Sequence, residues 1–349
     1  MLEQLRTYME KQNLDGFFVQ NHENVRYISG YTSDDAYLLI TRGRQFLITD
    51  PRYTEHAQAE CPDYTILNWR GAAPNVGEYA AQLAEQEGLK AVGFEKDLLT
   101  VKFHEALCTA PHTEWIGTEG VIEEFRSVKT PEEIEKLKVA CDIASRAFER
   151  IIRDIRVGVT EKELASRLSH YMVMEGSDTK PYGNILISGA RTSLLHGIPS
   201  SKAVEYGDFV LMDYGCQYKG YLSDMTRTVV VGKASAKQRE VYELEQKMVA
   251  ACEEQMKAGN SGRMVYEAST AVIQDTEYFP YHYTGIGHGI GLFVHEIPFM
   301  GPKHETPFKV NQVITVEPGW GGVRIEDQVL IQENGCVNLV SATKELIEL

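Results

Sequence analysis

Short apolar runs alternate with amphipathic stretches through the first third of the chain. "GFFVQ", "AYLLIT", "QFLITD", "YTILNW" and "AVGF" are brief, rich in β-branched and aromatic residues, and predict strands. "MLEQLRTYMEKQ", "RYTEHAQAE", "NVGEYAAQLAEQEG" and "VKFHEALCTA" space their apolar residues at a helical period and predict helices. The alternation predicts an α/β layer domain over residues 1–123. Neither a P-loop nor GxGxxG occurs there, so nothing points to a nucleotide.

The rhythm changes after that. Thr130-Pro131-Glu132-Glu133 is a helix start, with threonine as N-cap, proline in the first turn and acids at the positive helix end. Ile134, Leu137, Ala140, Cys141, Ala144 and Phe148 continue it at a helical period. Further helices are expected from Thr160 and from about Ala236 to Ala258, while strand patterns dominate 183–231 and 309–331. Residues 124–349 therefore read as α+β, with helices over a curved, largely antiparallel sheet.

Polar residues break the strand pattern where chemistry is expected. "FVLMDYGCQYKGYLSDMTRT" (209–228) sets Asp213 and Asp224 in two strand-like arms around the turn candidate "YKGY". A two-residue loop puts both aspartates on one face; a three-residue loop puts them on opposite faces. Like charges on a buried face need a shared proton, an arginine or a cation. A solvated edge hairpin needs none.

Two further clusters bear on that choice. In "GIGHGIGLFVHEIP" (285–298), glycines alternate around His288 and leave room for close backbone approach, with His295 seven residues on. In "VITVEPGWGGVRIEDQVLI" (313–331), Val313 to Val316 predict a buried strand ending in Glu317. "PGWGG" predicts a turn, and Val323 to Ile331 a returning strand. Alternation puts Arg324 and Glu326 on one face with Gln328 beyond them. His196 sits in a predicted loop, "LLHGIPSSK". Asp213, Asp224, Glu317, Glu326 and His288 form an oxygen-rich donor set suited to hard or borderline divalent ions such as Mn²⁺. Four converging acids call for more than one cation. Two metals about 3.5–4 Å apart would supply the charge and activate water for hydrolysis.

Composition narrows the field. The 349 residues carry a net charge of −15, which disfavours a nucleic-acid partner. No run approaches the roughly 20 apolar residues of a membrane span, and the N-terminal residues lack a signal-peptide pattern. Six scattered cysteines without CxxC spacing fit reduced thiols in a cytoplasm.

Taken in order, "LMDYG", "SDMTRT", "GHGIGLFVHE", "VEPG" and "VRIED" resemble the metallopeptidase family that includes methionine aminopeptidase, aminopeptidase P and prolidase. The resemblance spans essentially the whole chain and implies a creatinase-type N-terminal domain before a "pita-bread" catalytic domain. It implies two divalent metals, with Mn expected and Co or Zn as alternatives. Asp213 would be a bidentate ligand, Asp224 and Glu326 bridging ligands, and His288 the imidazole ligand. Glu317 would be a ligand that also relays a proton. His196 and His295 would contact the substrate, and Arg324 would orient a ligand carboxylate. Asp327 after Glu326, together with the full N-terminal domain, resembles the Xaa-Pro branch. That branch implies a homodimer acting on short peptides with proline in second position. "EPGWGGVRIED" is several residues shorter than the family's usual link between its last two motifs, which bears on substrate length. A non-catalytic binding protein on the same fold is the alternative, set against the retention of all five ligands.

Overall fold

The computed structural model describes residues 1–178 and 183–349. It divides into two compact units, Met1–Arg126 and Ser127–Leu349.

In the first unit, β1 (Gly16–Val19), β2 (Ala36–Thr41), β3 (Gln45–Thr49), β4 (Thr65–Asn68), β5 (Ala91–Glu95) and β6 (Glu114–Thr118) form one sheet. Its order is β4-β3-β2-β1-β5-β6; β2 runs antiparallel to both neighbours, and the other pairs are parallel. Buried Phe18, Leu39, Ile48, Val92 and Phe94 pack with Ala80, Leu83 and Ala84 of the helix Val76–Gln86. The local pattern missed β6, an edge strand whose "EWIGT" is only partly buried, and the eight-residue helix His22–Ser29.

The second unit carries two helix pairs over antiparallel sheet. Pro131–Ile151 and Glu161–Met174 start in capping boxes, Thr130 with Glu133 and Thr160 with Glu163. Their apolar faces close on β7 (Ile185–Ser188), β8 (Phe209–Tyr214) and the strand that pairs with β8 further on. After β8 the chain forms a hairpin tip from β9 (Gln217–Tyr218) and β10 (Tyr221–Leu222), then returns as β11 (Met225–Val230), giving a sheet ordered β11-β8-β7. The other sheet is built from β12 (His288–Gly289), β13 (Glu296–Phe299) and β14 (Val313–Val316), a small hairpin of β15 (Gly319–Trp320) and β16 (Val323–Arg324), then β17 (Asp327–Gln332) and β18 (Gly335–Asn338). Its five-stranded part is ordered β13-β12-β14-β17-β18, and β15 pairs only with β16. The helices Ala236–Gln255 and Gly262–Ile273 bury Cys252, Val265 and Ile273 among Ile286, Val316, Val323 and Ile325.

One helix lies outside the sequence expectation and one strand expectation is corrected. The helix Gly262–Ile273 begins on glycine, a poor helix former, which weakens its signal in the sequence. Gly262 is needed there, since a Cβ would press on the Phe299 carbonyl. The strand expected from Val323 to Ile331 is broken: β16 folds back on β15, β17 pairs with β14, and Glu326 leaves both ladders to bridge Thr226 on β11. That bridge joins the two sheets where the acidic residues lie.

Candidate metal centre

The hairpin settles the geometry of the two aspartates. Lys219 and Gly220 both take positive φ, 49° and 87°, forming a two-residue turn whose N–H groups donate to the Asp178 carboxylate. Tyr218 pairs with Tyr221 and Asp213 with Thr226, one register throughout. Asp224, two residues before Thr226, therefore shares the face of Asp213 and lies diagonal to it. Its backbone N–H donates to Gln328 Oε1 at 3.0 Å.

His288 sits where β12 is pinched between β13 and β14, with a bulge between His288 and Gly289. The glycines around it serve backbone approach: a Cβ on Gly287 would strike the Thr315 carbonyl, and one on Gly289 the Ile297 carbonyl. His288 Nδ1 lies 3.0 Å from the Gly289 carbonyl, which can only accept, so Nδ1 carries the proton. Nε2 then offers its lone pair 3.4 Å from Glu317 Oε1 and 3.9 Å from Asp224 Oδ2. The His295 ring stands edge-on to it, centroids 4.4 Å apart.

Glu317 follows the end of β14, its N–H tied to the Ile286 carbonyl. Arg324 on β16 pairs with Asp213 Oδ2 and donates from Nε to Thr226 Oγ1 at 3.2 Å. Thr226 Oγ1 in turn donates to Glu326 Oε2 at 2.7 Å, while Glu326 Oε1 is buried without a partner.

One cavity of about 170 Å³ gathers all eight candidates, His196, Asp213, Asp224, His288, His295, Glu317, Arg324 and Glu326. Among the described residues, Asp224, His288 and Glu326 each bring a ligand atom within 4.8 Å of the others. Asp213 is engaged instead by Arg324. His196 and His295 sit at the exposed side of the cavity. Ile185, Leu195 and Val294 supply apolar wall that sequence reasoning did not single out. Thr226 and Gln328 are polar supports of the acids; only the alternation of β11 and β17 hints at them.

The electrostatics follow from burial. Desolvation pushes Glu317 up to about 7 and Glu326 well above the usual carboxylate value, and raises Asp213 against the pull of Arg324. It pushes His288 down to about 4, leaving a neutral imidazole, and lowers His295 as well. Four acids share the cavity with one guanidinium, so the site is short of positive charge. An uncommitted buried carboxylate oxygen, a neutral imidazole lone pair and clustered oxygen donors fit divalent cations.

Comparison with known proteins agrees with this architecture. Residues 135–333 match the family model for metallopeptidase family M24, and residues 1–128 match the creatinase/prolidase N-terminal domain. A Xaa-Pro dipeptidase of Pyrococcus horikoshii is 33% identical over 97% of this chain and 96% of its own. The solved structure of a Xaa-Pro dipeptidase from Bacillus anthracis is 36% identical and superimposes with a TM-score of 0.94 over 100% of this chain and 99% of that one. An X-Pro aminopeptidase from Thermotoga maritima is 31% identical with a TM-score of 0.92 over the same shares.

Proposed function

This chain belongs to metallopeptidase family M24, and on that premise we propose that it is an exopeptidase cleaving the bond between an N-terminal residue and a following proline. The observation that carries the reading is the convergence of all eight candidate residues on one cavity. We assign Asp213, Asp224, His288, Glu317 and Glu326 as ligands of two divalent cations, with Mn²⁺ favoured by the carboxylate-rich set. When bound, the cations lower the pKa of water and polarise the scissile carbonyl.

The chain's own residues do the rest. Glu317, at the end of β14 with Oε1 3.4 Å from His288 Nε2, stands where a carboxylate can accept a proton and pass it to the proline nitrogen. That transfer is decisive for a tertiary amide, whose nitrogen must be protonated before it leaves. His295, kept neutral, and His196 stand at the open side, where they can hydrogen-bond the substrate carbonyl. Arg324 holds Asp213 in place. We infer a cytoplasmic homodimer, supported by six free cysteines and the resemblance to the Xaa-Pro branch. No helix among the described residues is long and apolar enough to cross a membrane.

The test is to load the protein with Mn²⁺ and follow Ala-Pro, Ala-Pro-Ala and Met-Ala-Ser together by mass spectrometry, with a chelator control. Loss of Ala-Pro alone marks a dipeptidase, and loss of Ala-Pro-Ala an aminopeptidase. Cleavage of Met-Ala-Ser alone, or of nothing, overturns the Xaa-Pro reading.

A further inference from the structure

Thr226 stands at the crossing of everything that holds the acids together. It is the register partner of Asp213 on β8 and lies two residues beyond Asp224 on β11. Its backbone is bridged to Glu326 in both directions, the Glu326 N–H donating at 3.1 Å and the Thr226 N–H at 3.4 Å. Its side chain is fully buried.

A threonine hydroxyl has one proton to give. Arg324 Nε can only donate, so at 3.2 Å it claims a lone pair of Thr226 Oγ1. The hydroxyl proton is therefore directed to Glu326 Oε2, at 2.7 Å. This chain of donors gives the two oxygens of Glu326 different tasks: Oε2 is held by Thr226, and Oε1 is left without a protein partner. The same hydroxyl fixes the Nε edge of the guanidinium whose other arm engages Asp213. One side chain thus bears on two of the cavity's acids.

We propose that Thr226 is a positioning residue for the cation site. By polarised hydrogen bonding to Arg324 and Glu326, it presents one oxygen of Glu326 to the metals and sets the angle from which Arg324 holds Asp213. The inference rests on the metal-site reading above. The backbone around it cannot drift to compensate. Arg227, next in the chain, spends all five of its N–H donors on the carbonyls of Thr226, Glu326, Ala342 and Thr343 and on the Asp327 carboxylate. Replacing the hydroxyl by a methyl group leaves Arg324 Nε and Glu326 Oε2 facing an apolar surface with the strands still in register.

The experiment compares Thr226→Val, nearly isosteric but without the hydroxyl, with Thr226→Ser, which keeps it. Calorimetric titration of the metal-free full chain with Mn²⁺ reads affinity and stoichiometry, and thermal unfolding of the metal-free forms reads the fold. The valine variant is expected to bind at least one Mn²⁺ roughly 10- to 100-fold more weakly, the usual cost of losing a group that orients a ligand. The serine variant is expected to stay within about threefold of the parent. With Mn²⁺ saturating, the valine defect is expected in kcat more than in KM, because the hydroxyl touches no substrate. Should the valine variant not fold, Thr226→Cys, with similar volume and a weak donor, takes its place with the same expected weakening. Parent-like Mn²⁺ affinity and stoichiometry in the variant lacking the hydroxyl would overturn the role of Thr226 and leave the metal site standing. If the parent chain itself binds no Mn²⁺, the metal-site reading falls and this inference falls with it.

Discussion

Arg227 and Asp327 form an ion pair at 2.6 Å with both side chains shut off from water. Asp327 also receives Asn338 Nδ2 and lies 3.0 Å from Lys344 Nζ, and the Arg227 and Lys344 charges hold its carboxyl below the usual value despite burial. Neither charge reaches the cavity, but the pair flanks Glu326 directly. Breaking it by Arg227→Met takes the buried partner from the Asp327 carboxylate, leaving it Asn338 and Lys344, and takes the guanidinium from the Ala342 and Thr343 carbonyls. The expected loss of stability is about 3–5 kcal/mol, read by urea unfolding of the metal-free protein. A loss below about 1 kcal/mol would show that Asn338 and Lys344 suffice for the Asp327 carboxylate.

Glu326 should decide how many cations are held. Glu326→Gln keeps the shape but removes a negative charge from the set that would hold the cations. After equilibration with Mn²⁺ and gel filtration, the parent is expected to retain about two metals per chain and the variant one or none, with hydrolysis of Ala-Pro lowered by roughly 100-fold or more. Two retained metals with parent activity would remove Glu326 from the ligand set.

Glu245 gives a pH signature apart from the reaction. It is fully buried on the helix Ala236–Gln255, accepts the Ile325 N–H at 3.3 Å, and has its other oxygen unpartnered. Burial pushes its carboxyl well above the usual 4.5. The folded chain keeps a proton that the unfolded chain releases. Its stabilising share is therefore whole below 4.5 and declines as pH rises through the elevated folded value. Glu245→Gln removes that titration. The variant is expected to match the parent near pH 4 to 5 and to gain on it progressively toward pH 9, by up to about 1.4 kcal/mol for each pH unit crossed. Unfolding midpoints across that range test it, and a difference that stays flat would mean the carboxyl is not held neutral.

The start of the helix Pro131–Ile151 offers a local test. Thr130 Oγ1 accepts the Glu133 N–H at 3.3 Å and Glu133 Oε2 accepts the Thr130 N–H at 2.7 Å. Thr130→Ala is expected to cost about 1 kcal/mol and Thr130→Ser almost nothing. Equal losses in both variants, by chemical denaturation, would argue against the cap.

What the sequence determined by itself was what depends on near neighbours. Strand alternation, given a two-residue turn, put Asp213 and Asp224 on one face. A capping threonine marked the helix Pro131–Ile151, and helical patterns marked Glu161–Met174 and Ala236–Gln255. These patterns repeat every two or 3.6 residues, so a short window reveals them. The order of five motifs carried the family and seven of the eight candidate residues, with His196 in a loop outside them. Tertiary structure alone decided which oxygen of Glu326 is left over, which nitrogen of His288 faces the acids, and why the chain between β16 and β17 must leave its ladder. Thr226 and Glu326 meet across 100 residues of sequence, and Arg324 and Asp213 across 111. Desolvation, which sets the proton affinities of the cavity, comes from atoms gathered from β8, β11, β12, β14 and β16, and no local pattern records it.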